Sequence, residues 1–242
     1  MKRILIGLAV PLAVVAAACG GSSSDTTIPA VLPPIADASG LGPTVDNPYF
    51  PFAVGARWVY EGTDQDETER IAVEVLAETR DVNGFTAVVV RDVAEVNGEL
   101  AEDTFDWYLQ DAAGNVWYVG EATEELENGK VVSTAGSWEW GVDGASPGIM
   151  MYADPAAQLN QAYYQEFYEG EAEDKAQVVR TGQTVTVAGG TFEDVIVIRE
   201  WNPLDPGVVE EKSLAPGVGV ILEVVVEGGT GRIELISFTT AP

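Results

Sequence analysis

Asn-Gly steps recur along the first half of this chain at intervals that leave room for one extended segment each: Asn83-Gly84, Asn97-Gly98 and Asn128-Gly129, with Ala113-Gly114-Asn115 between the last two. Both central residues of a type I′ turn need positive φ, and the twist of that turn matches the strands it joins. The runs between these turns, at 70–79, 85–96, 100–110, 116–126 and 130–140, are rich in Val, Thr, Phe, Trp and Tyr, the residues that suit a pleated surface. Successive hairpins of this kind build an antiparallel meander. A second set of runs lies at 176–187, 191–201, 208–213, 218–227 and 232–238, punctuated by Gly189-Gly190, Pro206-Gly207, Pro216-Gly217 and Gly228-Gly229.

The pattern predicts an all-β fold of antiparallel meanders. About ten strands in one open sheet approach the limit at which twist curls or splits it, so the sheet is expected to form a curled sheet, a half-barrel or a two-layer sandwich. Alternation places Phe105, Trp107 and Leu109 on one side of a strand and Thr104, Asp106, Tyr108 and Gln110 on the other. One face is then expected buried and the other wet, as antiparallel sheets permit. Between the meanders, residues 141–174 break the rhythm with Pro147, Pro155, Met150, Met151 and the aromatics Tyr152, Tyr163, Tyr164, Phe167 and Tyr168. This reads as an irregular insertion, partly helical from Pro155, whose fixed φ suits a first helical turn. Long irregular segments in compact β domains are where function concentrates.

The start of the chain is of a different kind. Lys2 and Arg3 precede an apolar run from Ile4 to Val15, followed by Ala16, Ala17, Ala18 and Cys19, the single cysteine. This is the layout of an export signal with a small-residue cleavage site, and its apolar run is shorter than the roughly 20 residues a spanning helix needs. The expected organisation is a signal peptide over 1–18, a tether from Cys19 through residue 46, and a single β domain over 47–242. The tether is rich in Ser, Thr, Pro, Gly and Ala and has no aromatic residue before Tyr49, so it cannot bury enough apolar area to offset its chain entropy.

Composition removes several kinds of chemistry. The 242 residues include no histidine, so Ser-His-Asp and Cys-His hydrolysis lose their usual base, and zinc and copper sites their commonest ligand. Gly144-Ala145-Ser146-Pro147-Gly148 matches the nucleophile-elbow pattern, but Pro147 has no N–H to help form an oxyanion hole, and the segment reads as a turn. With 39 acidic and 12 basic residues the net charge is −27, which repels nucleic acid and anionic headgroups. Asp64, Asp66, Glu67 and Glu69 cluster without the spacing of a calcium loop, so neither a metal nor a cofactor is expected. The surface candidates for ligand binding are Tyr108, Trp138 and Trp140 near adjacent hairpins, and Tyr163 and Tyr164 in the insertion, because exposed rings stack on flat ligands.

Several short stretches then become informative together: Asp46-Asn47-Pro48-Tyr49-Phe50-Pro51-Phe52, Gly55-Ala56-Arg57-Trp58-Val59-Tyr60-Glu61-Gly62, Asp106-Trp107-Tyr108, Gly114-Asn115-Val116-Trp117-Tyr118, Thr191-Phe192 and Ala215-Pro216-Gly217-Val218-Gly219. The set resembles a family of uncharacterised exported bacterial lipoproteins with a β-rich domain. Cys19 in its context is likewise similar to a lipobox, which implies a diacylglyceryl thioether and an extracytoplasmic location on the cell membrane, or on the outer membrane of a two-membrane source. No activity comes with the resemblance. Three functions are therefore expected to compete: a non-enzymatic module binding a small molecule, glycan or envelope protein; a carbohydrate-binding or carbohydrate-cleaving module using exposed tryptophans and carboxylates; and a carrier of an apolar ligand.

Overall fold

The computed structural model describes residues 29–35, 38–64 and 67–240, so the signal segment and Cys19 lie outside the described residues. A two-stranded ribbon, β1 (Val45–Asn47) and β2 (Phe50–Phe52), precedes the main sheet. The first meander is β3 (Arg57–Asp64), β4 (Glu67–Val82), β5 (Phe85–Val96), β6 (Glu99–Gln110) and β7 (Val116–Glu127). Two short strands, β8 (Lys130–Ser133) and β9 (Trp138–Glu139), both pair with β7. Then come β10 (Ser146–Met151), β11 (Ala162–Tyr164) and β12 (Glu166–Phe167), and the second meander β13 (Lys175–Val187), β14 (Gly190–Trp201), β15 (Val209–Ala215), β16 (Gly219–Glu227) and β17 (Arg232–Thr239).

In space the order is β11-β13-β14-β15-β16-β17-β3-β4-β5-β6-β7-β10-β12, antiparallel throughout. The all-β, meander-built expectation holds, and the arrangement is an open sheet that curls. Its two meanders are joined by β3 pairing with β17, a strand that the run-by-run reading above leaves out because its span is split by Gly62. A Cβ at Gly62 would lie 2.1 Å from the Arg232 carbonyl oxygen, so only glycine permits this closely packed junction. The Asn-Gly turns form as expected, with φ of 51° and 83° at Asn83-Gly84, 53° and 81° at Asn97-Gly98, and 52° and 69° at Asn128-Gly129.

Curling is visible in the core. One cluster joins Ile71, Val90, Tyr108 and Tyr118 to Val178, Ile198, Leu214 and Ile221, residues from strands far apart in the sheet order. A flat sheet could not bring these together. The opposite face of β5–β7 carries a second cluster of Ala87, Val89, Trp107, Leu109, Trp117 and Val119. The expectation of one wet face is therefore corrected: Thr104, Asp106 and Tyr108 are buried as fully as Trp107 and Leu109. The second cluster is covered by Tyr152, Trp140 and also Ile35 and Leu41. Residues expected in the tether thus lie on the domain, with Val31 bridged to Tyr163 and Gly42 to Gln110.

Residues 141–174 are more regular than their sequence suggests. Helix is confined to one 3-10 turn over Pro155–Gln158, capped by the Asp154 side chain accepting from the Ala157 N–H. The Ser146-Pro147-Gly148 triplet, expected in a turn, opens strand β10, because the bend is completed upstream at Gly141 to Ala145. Likewise the single run expected over 130–140 is two strands, separated where Ser137 N–H bonds back to the Thr134 carbonyl. The segment 162–167 spans the two margins of the sheet: β11 pairs with β13, and β12, two residues on, pairs with β10. Gly148 lets the margins meet, since a Cβ there would sit 2.3 Å from the Gln165 backbone.

Candidate functional site

Ladder register decides which side chains share the concave face, because residues directly opposite one another in an antiparallel pair point the same way. Val88, Tyr108 and Tyr118 form one such row across β5–β7. The next is Val90, Asp106 and Glu121, then Asp92, Thr104 and Thr123, then Ala94, Glu102 and Glu125. The concave face thus changes character along the strands, from aromatic and aliphatic to acidic, going toward the Asn97 and Asn128 turns. On the other wall a row runs Glu223, Lys212, Ile198.

These acids are deeply buried: Asp106 and Glu166 are 0% exposed, Glu121 1%, Asp92 3%, Glu102 4% and Glu223 0%. Tyr118 donates its hydroxyl proton to Asp106 Oδ1 at 2.6 Å, and Trp138 Nε1 donates to Glu166 Oε2 at 2.6 Å. Thr104 donates to Glu102 at 3.1 Å and lies 2.6 Å from the Thr123 hydroxyl. Asp92 Oδ2, Asp106 Oδ2, both Glu121 carboxyl oxygens and the Tyr108 hydroxyl meet no hydrogen-bond partner. The basic residue of this interior is Lys212, 2.7 Å from Glu200 Oε2 and 3.5 Å from Glu223 Oε2.

Removal from water disfavours the charged form of a carboxyl group. Burial, helped by Asp106 and Glu102, therefore raises Asp92 well above the usual carboxylate range. Burial also pushes Glu102 up to about 7, against the opposing Thr104 hydrogen bond. Asp106 rises to about 7 from burial, opposed by the Tyr118 hydroxyl. Glu121 and Glu166 are raised well above their ordinary values by burial and then by other carboxyls. Lys212 runs the other way: burial works against its charge, but Glu200, Glu223 and Glu210 outweigh it and hold the ammonium protonated. The arrangement sets carboxyls whose charged forms are disfavoured by burial around the Lys212 ammonium.

The ring candidates fall in three places. Tyr108 and Trp138 come together in this interior, stacked 4.9 Å and T-shaped 5.4 Å from Tyr118 respectively. The surface position expected for Tyr108 is corrected, since it is 0% exposed; the curl of the sheet covers the face on which its alternation put it. Trp138 is buried too, at 4%. Trp140 lies elsewhere, half-buried and stacked on Phe85 at 5.5 Å. Tyr163 is buried against Tyr152 at 4.9 Å, while Tyr164 is half-buried between Phe167 and the Lys175 ammonium. Among the described residues no group of three or more His, Cys, Asp or Glu is arranged to hold a metal ion, and Asp66 lies outside the described residues. The aromatic half of the interior leaves a void of about 20 Å³ lined by Phe50, Phe52, Trp58, Tyr60 and Val220, room for about one water molecule and far short of an acyl chain.

Asp92, Glu102, Asp106, Glu121, Glu166 and Lys212 were not singled out from sequence. A signal existed. No Lys or Arg occurs between Arg91 and Lys130, although that stretch spells two and a half strands and holds eleven Asp and Glu residues from Asp92 to Glu127, with Glu102 and Asp106, and Glu121 and Glu125, four apart. Acids that recur at i, i+2 and i+4 share one sheet face, and a face with no local cation is one whose protons have to come from elsewhere.

No protein-family model matches the chain, and no curated protein matches its sequence. Two solved structures have a related outline. One, from Bacteroides fragilis, is of a protein inferred to be exported with a YmcC-like fold; it is 12% identical with a TM-score of 0.48, over 79% of this chain and 99% of that one. The other, of a protein inferred to be a lipoprotein from Parabacteroides distasonis, is 11% identical with a TM-score of 0.43, over 80% of this chain and 99% of that one. Likeness at this level carries no argument about role, which rests on the residues of this chain.

Proposed function

We propose that this protein is an extracytoplasmic lipoprotein, anchored through Cys19, whose curled sheet is a non-enzymatic binding or envelope-associated module. The anchor rests on the Ala16-Ala17-Ala18-Cys19 sequence behind a basic, apolar leader. The non-enzymatic reading rests on one observation: the groups with strongly perturbed proton affinity, which in an enzyme line an accessible cleft, are here sealed, at 0–4% exposure. A carbohydrate-cleaving carboxylate pair needs to reach a glycosidic oxygen, and none of these carboxyls does so. Stacking on sugars finds little support either, since Trp58, Trp107, Trp117, Trp138 and Trp201 are all at most 7% exposed.

The test is fractionation of cells expressing the intact precursor and its Cys19→Ser variant under metabolic palmitate labelling. The expected result is a labelled, membrane-retained protein that becomes unlabelled and soluble on substitution. Unchanged retention of C19S overturns the anchor. Turnover of a defined polysaccharide by the purified protein, lost on a carboxylate substitution, overturns the non-enzymatic reading.

A further inference from the structure

The margin where β12 meets β10 is a short ladder at the end of the sheet. It comprises two register pairs, Ser146↔Phe167 and Pro147↔Glu166, and a proline brings no N–H to a ladder. β12 is also the last strand in the order, with nothing paired beyond it. Its neighbourhood is held mainly by side chains and short local bonds: Gln165 Nε2 donates to Glu200 at 2.8 Å, Gln165 N–H to the Asp174 carbonyl at 2.8 Å, and Tyr168 and Ala172 bond each other at 2.6 and 2.9 Å.

Into this margin the acid cluster sends Glu166, wholly buried, its Oε2 capped by Trp138 of β9. Glu121, on β7, lies directly opposite Trp138 of β9 and directly opposite Asp106 of β6. The groups facing this pair are Glu102, Asp106 and Tyr108 on β6, Tyr118 on β7 and Asp174 before β13. Farther round the lumen stand Tyr60 on β3, Asp92 on β5, Glu200 on β14, Glu210 and Lys212 on β15, and Glu223 on β16. The distribution of the cation is uneven. Lys212 favours ionisation of Asp92 and Asp106, whereas the charges that bear on Glu121 are Asp106, Glu102 and Asp174, and those on Glu166 are Asp174 and Glu121. All of the latter are negative. Ionised, these two carboxyls would stand desolvated among like charges, which a buried site tolerates only if water enters.

We propose that Glu121 and Glu166 form a proton-operated latch on the β10–β12 margin: protonated, they let the curled sheet close over its acid-lined interior, and ionised, they part β12 from β10 and admit water to that interior. The device is local. The other margin, β11 on β13, has three register pairs and an apolar interior face at Ala176, so it stays shut and the hinge falls at Gln165, between β11 and β12.

Hydrogen exchange of the purified full chain, corrected for the intrinsic pH dependence of the chemistry, tests this. Protection of the 165–174 segment is expected to fall on the order of tenfold or more between about pH 5 and an alkaline pH at which the two raised carboxyls ionise, while β11, β15 and β16 keep theirs, as opening free energies differ by region. In the Glu121→Gln/Glu166→Gln protein the segment should stay equally protected at both pH values. Protection in the wild type that does not change with pH overturns the proposal, as does a double variant that keeps the pH dependence. Should the double variant not fold, infrared spectroscopy of the unsubstituted protein decides. An un-ionised carboxyl band that disappears over the pH range in which the segment opens supports the latch, and absence of such a band at about pH 6, above the ordinary carboxylate range, overturns it.

Discussion

The two halves of the interior are built by the same hairpins and differ only in what those hairpins point inward. Near the Asn83 turn, Val88, Tyr108 and Tyr118 meet Phe50 and Phe52 of the β1–β2 ribbon, with ring centroids 4.9 Å apart for Phe52 and Tyr108. Trp58 closes the same region, donating to the Val218 carbonyl at 2.7 Å. Near the Asn97 turn the same strands turn inward Asp92, Glu102, Asp106 and Glu121. Strands β5 and β6 pair without a break across the boundary, and β6 and β7 pair on both sides of a bulge that lies there, between Trp107 and Tyr108, so pairing survives the change of side chains. What differs is the condition each half sets: rings need only volume and shape, whereas acids need protons or a cation. One half is therefore stable on its own terms, and the other is conditional on pH and on Lys212.

The sharpest break of this contrast comes from the apolar half. Phe52 is 7% exposed and touches Phe50, Trp58 and Tyr108. Truncating a buried phenylalanine removes both transfer energy and packing, about 3–5 kcal/mol. Phe52→Ala should lower unfolding free energy by that amount, by about as much near pH 5 as near pH 8, since the one titratable group it touches, Tyr108, is held by burial well above the ordinary tyrosine value. Denaturant titration at both pH values checks it. A loss confined to one pH would mean the halves are coupled and the contrast fails.

Lys212→Met is the matching break in the acidic half. It keeps the length of the side chain but leaves Glu200 and Glu223 without their cation, and removing one partner of a buried pair costs about 3 kcal/mol or more. Unlike the Phe52 variant, this one should recover stability as the pH falls. Once the neighbouring carboxyls bind protons, the missing ammonium matters less. Thermal melts from acid to neutral pH would show the variant approaching the wild type at the acid end. Parallel curves for the two proteins would show that Lys212 contributes by packing alone.

How much of this was legible beforehand differs between the halves for the same reason. The turns were legible because positive φ restricts Asn83, Asn97 and Asn128 and the glycines after them to a few conformations, and the strand boundaries between them followed. Strand β6 shows where reading stops. Its alternation was visible, but hydrophobicity assigned Phe105, Trp107 and Leu109 to the core and Asp106 and Tyr108 to solvent, a rule that holds for a sheet with one covered face. In a sheet that curls upon itself the polar side of a strand can be the concave side, and whether it curls depends on Gly62 and Gly148 letting distant backbones approach closely, which no local pattern reveals. The insertion hid its strands similarly: β10, β11 and β12 are two to six residues long, too short for a period to register, and exist because the sheet margins were there to pair with.

Asp106→Asn gives the smallest expected effect and the finest probe of the contrast. Asp106 sits where the halves meet, one row from Tyr108 and opposite Glu121. Its folded proton affinity is raised to about 7 by burial, against the opposing hydrogen bond from Tyr118, while an unfolded aspartate titrates at about 4. Between those values the folded protein holds a proton that the unfolded chain has released, so the stabilisation from this group is complete below about pH 4 and is lost as the pH rises through about 7. Asparagine is the neutral form made permanent. Its oxygen still accepts from Tyr118, and its amide carries no charge to desolvate. The variant should therefore lie within about 1 kcal/mol of the wild type near pH 5, the net worth of one hydrogen bond, and be the more stable of the two near pH 8. Crossing melting curves would establish that protons, not shape, hold the acidic half together. An Asp106→Asn protein that is destabilised equally at every pH would place Asp106 among the ordinary packing residues, on the same footing as Phe52.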